Sequence, residues 1–148
     1  MVCWNNVLSM PLNFNIVFPF RIFTYSTGIF VQQSDLNVPR EDFQMTRLEG
    51  QAIVLGGDMG GNRLLELETF NPADGTWSVL PGMDMPIGRI HFCKVNMDEQ
   101  ELYVVGGKLA DNTWTDIMEK FTLTSGWETL TGQIIPSAEN KPACLIII

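Results

Sequence analysis

The chain has 148 residues, enough for one ordinary domain, and 45% of them are apolar, which excludes global disorder. It carries 17 acidic and 9 basic residues, for a formal net charge of −8. This charge excludes a general nucleic-acid binder, because such proteins need a basic surface against the phosphate backbone.

Residues 1–20 are rich in apolar side chains, but Asn and Pro interrupt them repeatedly. They contain no uninterrupted apolar run of the ~20 residues that a membrane-spanning helix needs. The first basic residue is Arg21, whereas a signal peptide usually begins with a basic region. This segment is therefore left unassigned, and no contact with a membrane is expected.

Two short strands are predicted next, over residues 21–26 and 30–34. Thr27 and Gly28 between them are typical of a tight turn, because glycine accepts a positive φ without steric cost. Residues 36–40 then form a connection, in which Pro39 has no N–H to donate to a strand ladder.

Apolar runs bounded by glycine and proline predict two further sets of four strands. The first set covers 43–47, 52–55, 64–70 and 76–80. The second set covers 89–95, 102–105, 117–123 and 127–130. A last apolar segment, 143–148, is predicted as one more strand. Glycine and proline recur too often for an amphipathic helix, so the sequence predicts an all-β fold.

Three sequence markers recur at a spacing of 50 residues, which indicates an internal repeat. The matching positions are Gly56 and Gly106, Gly57 and Gly107, Trp77 and Trp127, and Pro86 and Pro136. A degenerate copy of the end of this repeat lies upstream, at a spacing of 47 residues. In it Phe30 takes the position of Trp77, and Phe23 takes that of Phe70. Because these markers recur, they are assigned to structure and packing.

A double glycine that closes an apolar strand, with a tryptophan about twenty residues later, resembles the kelch repeat. The resemblance implies an incomplete kelch-type β-propeller, made of four-stranded antiparallel blades. It divides the chain into a partial blade (21–38), two blades (39–85 and 86–135) and the first strand of a further blade (136–148). A closed propeller typically has four to eight blades, whereas only two copies are complete here.

No catalytic site, cofactor or metal site is predicted. The glycine-rich segment 56–62 lacks the Gly-Lys-Ser/Thr of a phosphate-binding loop. His91 is the only histidine, so a zinc site has too few ligands, and it is predicted to lie on a strand face. Cys3, Cys93 and Cys144 are far apart and are expected to be reduced. With no N-x-S/T acceptor, this favours a reducing compartment and hence a cytoplasmic location.

We call the four antiparallel strands of each set a to d in chain order. The loop between strands b and c then lies at the same edge of the sheet as the connection from strand d to strand a of the next set. We call this edge the loop face, and it comprises 58–63, 84–89, 108–115 and 132–137. Binding residues usually lie on long loops that a rigid scaffold holds in place. The candidate partner-binding residues on it are Arg63, Arg89, Lys108 and Trp114.

Trp114 has no counterpart in the preceding repeat, so it is either a binding anchor or a local packing residue. Arg89 begins the innermost strand in the kelch resemblance. BTB–kelch ubiquitin-ligase adaptors often use arginines near this position to hold acidic peptide segments. The sequence spacing matches Arg89 to Asp42 and Glu139, and a plain solvated arginine is the alternative interpretation.

These observations predict a non-catalytic protein-interaction module of the kelch type that binds a protein partner through the loop face. One alternative is a fragment or decayed copy of a larger kelch propeller. Another is part of an enzyme or sugar-binding propeller that resembles galactose oxidase or sialic-acid mutarotase. Two complete blades leave apolar faces uncovered, so self-association or a need for further blades is also expected.

Overall fold

The computed structural model describes residues 21–24 and 26–132, and every regular element in that part of the chain is a β-strand. The strands are β1 (Arg21–Thr24), β2 (Ile29–Gln32), β3 (Gln44–Leu48), β4 (Gln51–Leu55), β5 (Asp58–Met59), β6 (Asn62–Arg63), β7 (Glu68–Asn71), β8 (Thr76–Val79), β9 (Cys93–Asn96), β10 (Leu102–Val105), β11 (Met118–Thr122) and β12 (Gly126–Leu130). Residues 1–20 and the predicted strand 143–148 lie outside the described residues.

Two four-stranded antiparallel sheets form the body of the described chain, which confirms the predicted all-β class. The strand order is β3-β4-β7-β8 in the first, which we call sheet I, and β9-β10-β11-β12 in the second, sheet II. Strands β1 and β2 pair as a separate two-stranded sheet, the N-terminal hairpin. No sheet among the described residues closes on itself.

Several predicted boundaries need correction. The strand predicted over 64–70 begins only at Glu68, although Leu64 and Leu67 before it are buried. The strand predicted over 89–95 begins only at Cys93, because His91 has a positive φ of 52° that is incompatible with a strand. The prediction that His91 lies on a strand face is therefore wrong. The loop predicted over 58–63 contains a small hairpin, β5–β6.

The sheets pack face to face, with sheet I in the middle. One face of sheet I meets sheet II in a cluster that contains Ile53, Leu55, Leu102 and Phe121, each with 0% exposure. The opposite face meets the N-terminal hairpin through a second cluster, in which Ile22 packs against the buried core of sheet I. Each pair of layers thus buries apolar side chains from both sides, as neighbouring layers of a β-protein must.

A large aromatic pair recurs in the same cross-strand register. Phe70 is opposite Trp77 in sheet I, with ring centroids 5.2 Å apart. Phe121 is opposite Trp127 in sheet II, with centroids 4.8 Å apart. In the N-terminal hairpin the backbone of Phe23 is opposite that of Phe30. The upstream copy that the sequence suggested therefore shares the register of the two complete sheets.

The double glycines lie where two backbones approach closely. Gly56 has a φ of 64°, and a Cβ added there would lie 2.8 Å from the carbonyl oxygen of Arg89. Gly107 has a φ of 109°, and a Cβ there would lie 2.8 Å from Cβ of Phe92. Any side chain at either position would be strained and would clash with the segment 89–92, which precedes β9.

Cys93 is engaged in a disulfide, so the expectation of a reduced thiol is wrong for this residue. Cys3 and Cys144 lie outside the described residues. The disulfide removes the cysteine argument for a reducing compartment, and the cytoplasmic location stays a prediction. Within the described part of the chain, no helix has the length and apolarity required to cross a membrane.

Candidate functional site

Arg89 does not lie on the surface. Its side chain has 0% exposure and forms an ion pair with Glu119 of β11, whose side chain also has 0% exposure. The guanidinium donates further hydrogen bonds to the carbonyl oxygens of Gly106 (2.9 Å) and Ile117 (3.3 Å). The expectation of a solvated arginine is therefore wrong, and Arg89 joins three segments of sheet II from within.

Arg40 makes the same set of contacts in sheet I. Its guanidinium pairs with Glu68 at 2.9 Å and donates to the carbonyl oxygens of Gly56 (3.1 Å) and Glu66 (2.9 Å). Sequence spacing had matched Arg89 to Asp42, whereas the structural counterpart of Arg89 is Arg40. Each complete sheet therefore contains one buried arginine–glutamate pair, and sequence reasoning missed this repeat.

The two buried pairs differ in how the carboxylate is satisfied. Glu68 also accepts hydrogen bonds from the N–H groups of Asn37 (2.6 Å) and Val38 (3.1 Å). The position of Asn37 is taken in the next repeat by Pro86, which has no N–H. Oε1 of Glu119 is accordingly buried without a hydrogen-bond partner among the described residues.

Burial shifts both pKa values of the second pair. It raises the pKa of Glu119 above its ordinary value, and the opposing attraction of Arg89 does not cancel this effect. Burial likewise lowers the pKa of Arg89 below its ordinary value, against the attraction of Glu119. The pair is thus desolvated on both sides, and either member left alone would be a buried, uncompensated charge.

Arg63 is also used internally. It lies at the end of β6 and forms an ion pair with Asp58 at the start of β5. The side chains are only 10% and 7% exposed, respectively. Asp58 Oδ1 also accepts the N–H of Gly61 at 2.7 Å, which closes the small hairpin. Arg63 is therefore on the predicted loop face, but most of its side chain is covered.

Trp114 is held at the loop face by an internally hydrogen-bonded loop between β10 and β11. The N–H of Leu109 donates to the carbonyl of Thr113 at 2.9 Å, and the N–H of Thr115 donates to Gly107 at 3.0 Å. Lys108 forms backbone bridges to both Ile90 and Trp114. The half-buried indole of Trp114 is therefore presented by a fixed backbone, before any partner binds.

The indole of Trp114 stacks on the imidazole of His91, with ring centroids 6.4 Å apart and an angle of 28° between the planes. His91 Nε2 lies 3.3 Å from a carboxylate oxygen of Asp42. Asp42 precedes sheet I and His91 precedes sheet II, and both have a φ of 52°. We call Asp42, His91 and Trp114 the loop-face cluster. It joins the two sheets at the edge where binding was predicted.

Asp111 orders the same loop, and its pKa is lowered by hydrogen bonds from the hydroxyl and N–H groups of Thr113. A lowered carboxyl pKa means that this support is present above the unfolded value of ~3.9 and is lost as the pH falls through the folded value. We expect Asp111→Ala to speed amide exchange at 113–115 about threefold to tenfold at neutral pH, because both hydrogen bonds from Thr113 to this carboxylate are lost.

Hydrogen-exchange mass spectrometry checks this expectation. Asp98 is the matched control, because its carboxylate accepts the N–H groups of Gln100 (2.7 Å) and Glu101 (2.9 Å) at the opposite edge. Asp98→Ala should speed exchange at 98–101 only. Unchanged exchange at 113–115 in Asp111→Ala would show that Asp111 does not order the loop.

The charges left in solvent on the loop face are mainly carboxylates. Arg40, Arg63 and Arg89 are all used in internal ion pairs. Half-buried Lys108 takes part in none of the ion pairs that involve described residues. The exposed acidic residues in the segments at this edge of the two sheets are Glu41, Asp42, Asp84, Asp111 and Asp116.

Of the predicted residues, Trp114 and Lys108 lie together in one loop, Arg63 is paired with Asp58, and Arg89 is buried. Among the described residues, no group of three or more His, Cys, Asp and Glu side chains is arranged to hold a metal ion.

Comparison with models of known protein families and with curated protein sequences finds no match.

Proposed function

We propose that this chain is a non-catalytic protein-interaction module of the kelch type, and that it binds its partner through the loop face. The observation that carries the proposal is the loop-face cluster, in which a half-buried tryptophan is fixed against His91 by an ordered loop. Aromatic anchors on a rigid scaffold are the side chains that most often dominate protein–protein binding energy.

The scaffold in this proposal is an incomplete β-propeller. Two stacked four-stranded sheets support it, because each repeats a double glycine, an aromatic pair and a buried arginine–glutamate pair. One form of such partner binding is a substrate-adaptor role. The interpretations as a fragment or as part of an enzyme or sugar-binding propeller stay predictions.

The charges on the loop face favour a partner segment with cationic side chains over an acidic one. The acidic-peptide mode implied by the kelch resemblance depends on exposed arginines, and Arg89 has no exposed surface. A basic side chain of the partner would meet the carboxylates around Trp114 and would also suit the face of the indole. Association through these exposed charges should weaken as the salt concentration rises.

A quantitative affinity-enrichment experiment tests the proposed surface. We expect Trp114→Ala to reduce recovery of a specific partner about tenfold or more, because truncating a central aromatic anchor typically costs ~2 kcal/mol or more. Ser125→Ala and Asp74→Ala, in turns at the opposite edge, should leave recovery unchanged. Arg89→Glu is unsuitable here, because it would test folding and not binding.

Each variant should be checked for an unchanged cooperative melt before enrichment is compared. A partner whose recovery depends on Asp74 or Ser125, and not on Trp114, would place the binding surface at the opposite edge. A partner whose recovery survives every substitution would contradict binding through either edge.

A further inference from the structure

The loop-face cluster is built on two backbone conformations that are rare outside glycine. Asp42 and His91 each have a φ of 52°, and each lies just before the first strand of a complete sheet. A left-handed conformation costs free energy for a residue that carries a side chain, and such residues cluster at ligand clamps and switch regions. The contacts that hold His91 therefore bear on its function.

Two side-chain contacts of His91 respond to its charge in the same direction. Nε2 lies 3.3 Å from Oδ2 of Asp42, and this contact is an ion pair only when the imidazole is protonated. The imidazole also stacks on the indole of Trp114, with ring centroids 6.4 Å apart. A cation is attracted to the electron-rich face of an indole, so protonation favours this contact as well. A positive charge on His91 thus strengthens its contacts with both neighbours.

The backbones around His91 are already fixed to each other. The N–H of Gly57, after β4, donates to the carbonyl of Arg89 at 3.2 Å. The N–H of Lys108, in the loop that carries Trp114, donates to the carbonyl of Ile90 at 2.8 Å. A change of charge on His91 therefore acts on side chains that a fixed backbone presents, and it requires no movement of one sheet against the other.

His91 is accessible to protons from solvent. Its side chain is 26% exposed, and that of Asp42 is 36% exposed. The charged and titratable groups on the segments around His91 are Glu41 and Asp42 before β3, Asp58 and Arg63 in β5 and β6, Arg89 in its own segment, and Lys108 and Asp111 in the loop of Trp114. Asp58 pairs with Arg63, and Arg89 pairs with Glu119. The structure places the Asp42 carboxylate in direct contact with the imidazole.

We propose that His91 is a pH-sensitive switch for partner binding at the loop face. When His91 is neutral, a cationic side chain of the partner is attracted to Asp42 and to the indole of Trp114. When His91 is protonated, its charge compensates Asp42 and repels that cation. Histidine is the side chain whose charge ordinarily changes between about pH 5 and 8, so binding should weaken as the pH falls through this range. This inference rests on the proposed function, because it concerns the same surface and the same cationic partner.

Nuclear magnetic resonance of the free, isotopically labelled chain tests the switch without a partner. We expect the indole N–H signal of Trp114 to shift together with the ring signals of His91 between about pH 8 and about pH 5. The indole N–H of Trp127 is the internal control, because it donates to the carbonyl of Met83 and should not shift. In His91→Asn the shift at Trp114 should be absent, since asparagine accepts a positive φ and carries no charge. A Trp114 signal that stays fixed while His91 titrates, or that still shifts in His91→Asn, would overturn the proposal.

A short oligolysine peptide is the cationic probe for the binding step, followed at the Trp114 signal. Its apparent dissociation constant should be about threefold to tenfold higher at about pH 5 than at about pH 8, because one added charge at close range changes an affinity by this order. In His91→Asn the values at the two pH conditions should agree.

The outcomes separate the switch from the proposed function. Equal affinity at both pH conditions in the parent chain, with binding that Trp114→Ala still weakens, would overturn the switch and leave loop-face binding intact. Oligolysine binding that Trp114→Ala does not weaken, or no binding at either pH, would contradict the cationic loop-face site itself and the switch with it.

Discussion

Replacing Arg89 with methionine is expected to lower the free energy of unfolding by about 3–5 kcal/mol, the usual cost of breaking a buried ion pair. The substitution leaves the Glu119 carboxylate buried, with neither of its oxygens hydrogen-bonded among the described residues. Urea unfolding at neutral pH measures the effect. Arg47→Met is the control, because Arg47 is exposed, and it should change the stability by less than about 0.5 kcal/mol.

Two further variants separate charge from packing. The double variant Arg89→Met with Glu119→Leu should recover much of the lost stability, because neither member is then left as a lone buried charge. Arg40→Met should cost less than Arg89→Met, since Glu68 keeps hydrogen bonds from Asn37 and Val38. If Arg89→Met is as stable as the parent chain, the arginine is not buried in the folded protein.

Replacing Trp77 with alanine is expected to cost about 3–5 kcal/mol, the range for removing a large aromatic from a core. Trp77 is 4% exposed and packs against Phe70 between sheet I and the hairpin. Trp127→Ala should cost less, because Trp127 is only half-buried, although its hydrogen bond to Met83 would also be lost.

Phe30→Ala provides the comparison at the third equivalent position. Because Phe30 is 54% exposed, its removal should cost much less than that of Trp77 in a dilute, monomeric sample. The expected order of losses is therefore Trp77, then Trp127, then Phe30, measured by chemical denaturation. An equal loss at all three positions would contradict the layer order described here.

The strands were predictable because the repeat combines local signals. Apolar runs, double glycines and turn residues indicated both four-stranded sheets, and the structure contains them. Trp77 and Trp127 also proved equivalent in their cross-strand register, since each is opposite a phenylalanine. The difference between them in burial was not predictable, because burial depends on which layer covers each sheet, and that is a long-range property.

The buried arginine–glutamate pairs were missed because proline was used to align the repeats. Pro39 and Pro86 are 47 residues apart, whereas Arg40 and Arg89 are 49 apart, so the alignment set Arg89 against Asp42. A better signal was present in the phenylalanine three residues after each arginine, Phe43 and Phe92. The glutamates are similarly marked by a phenylalanine two residues later.

The candidate site was predicted in part. The edge on which Trp114 lies followed from antiparallel strand order, which needs no side-chain detail. Its contact with His91 and the ion pair of His91 with Asp42 depend on a backbone with positive φ at both residues before their strands. Such conformations are rare outside glycine, and sequence patterns alone gave no indication of them.

Nuclear Overhauser effects on the folded, isotopically labelled chain test the central claim most directly, namely that two stacked sheets hold Trp114 in a fixed cluster at the loop face. His91 is the only histidine, so its ring signals are readily identified. We expect contacts between the imidazole of His91 and the indole of Trp114, together with contacts between the indole of Trp127 and Met83. A well-dispersed spectrum of a folded protein that lacks both sets of contacts would contradict the account.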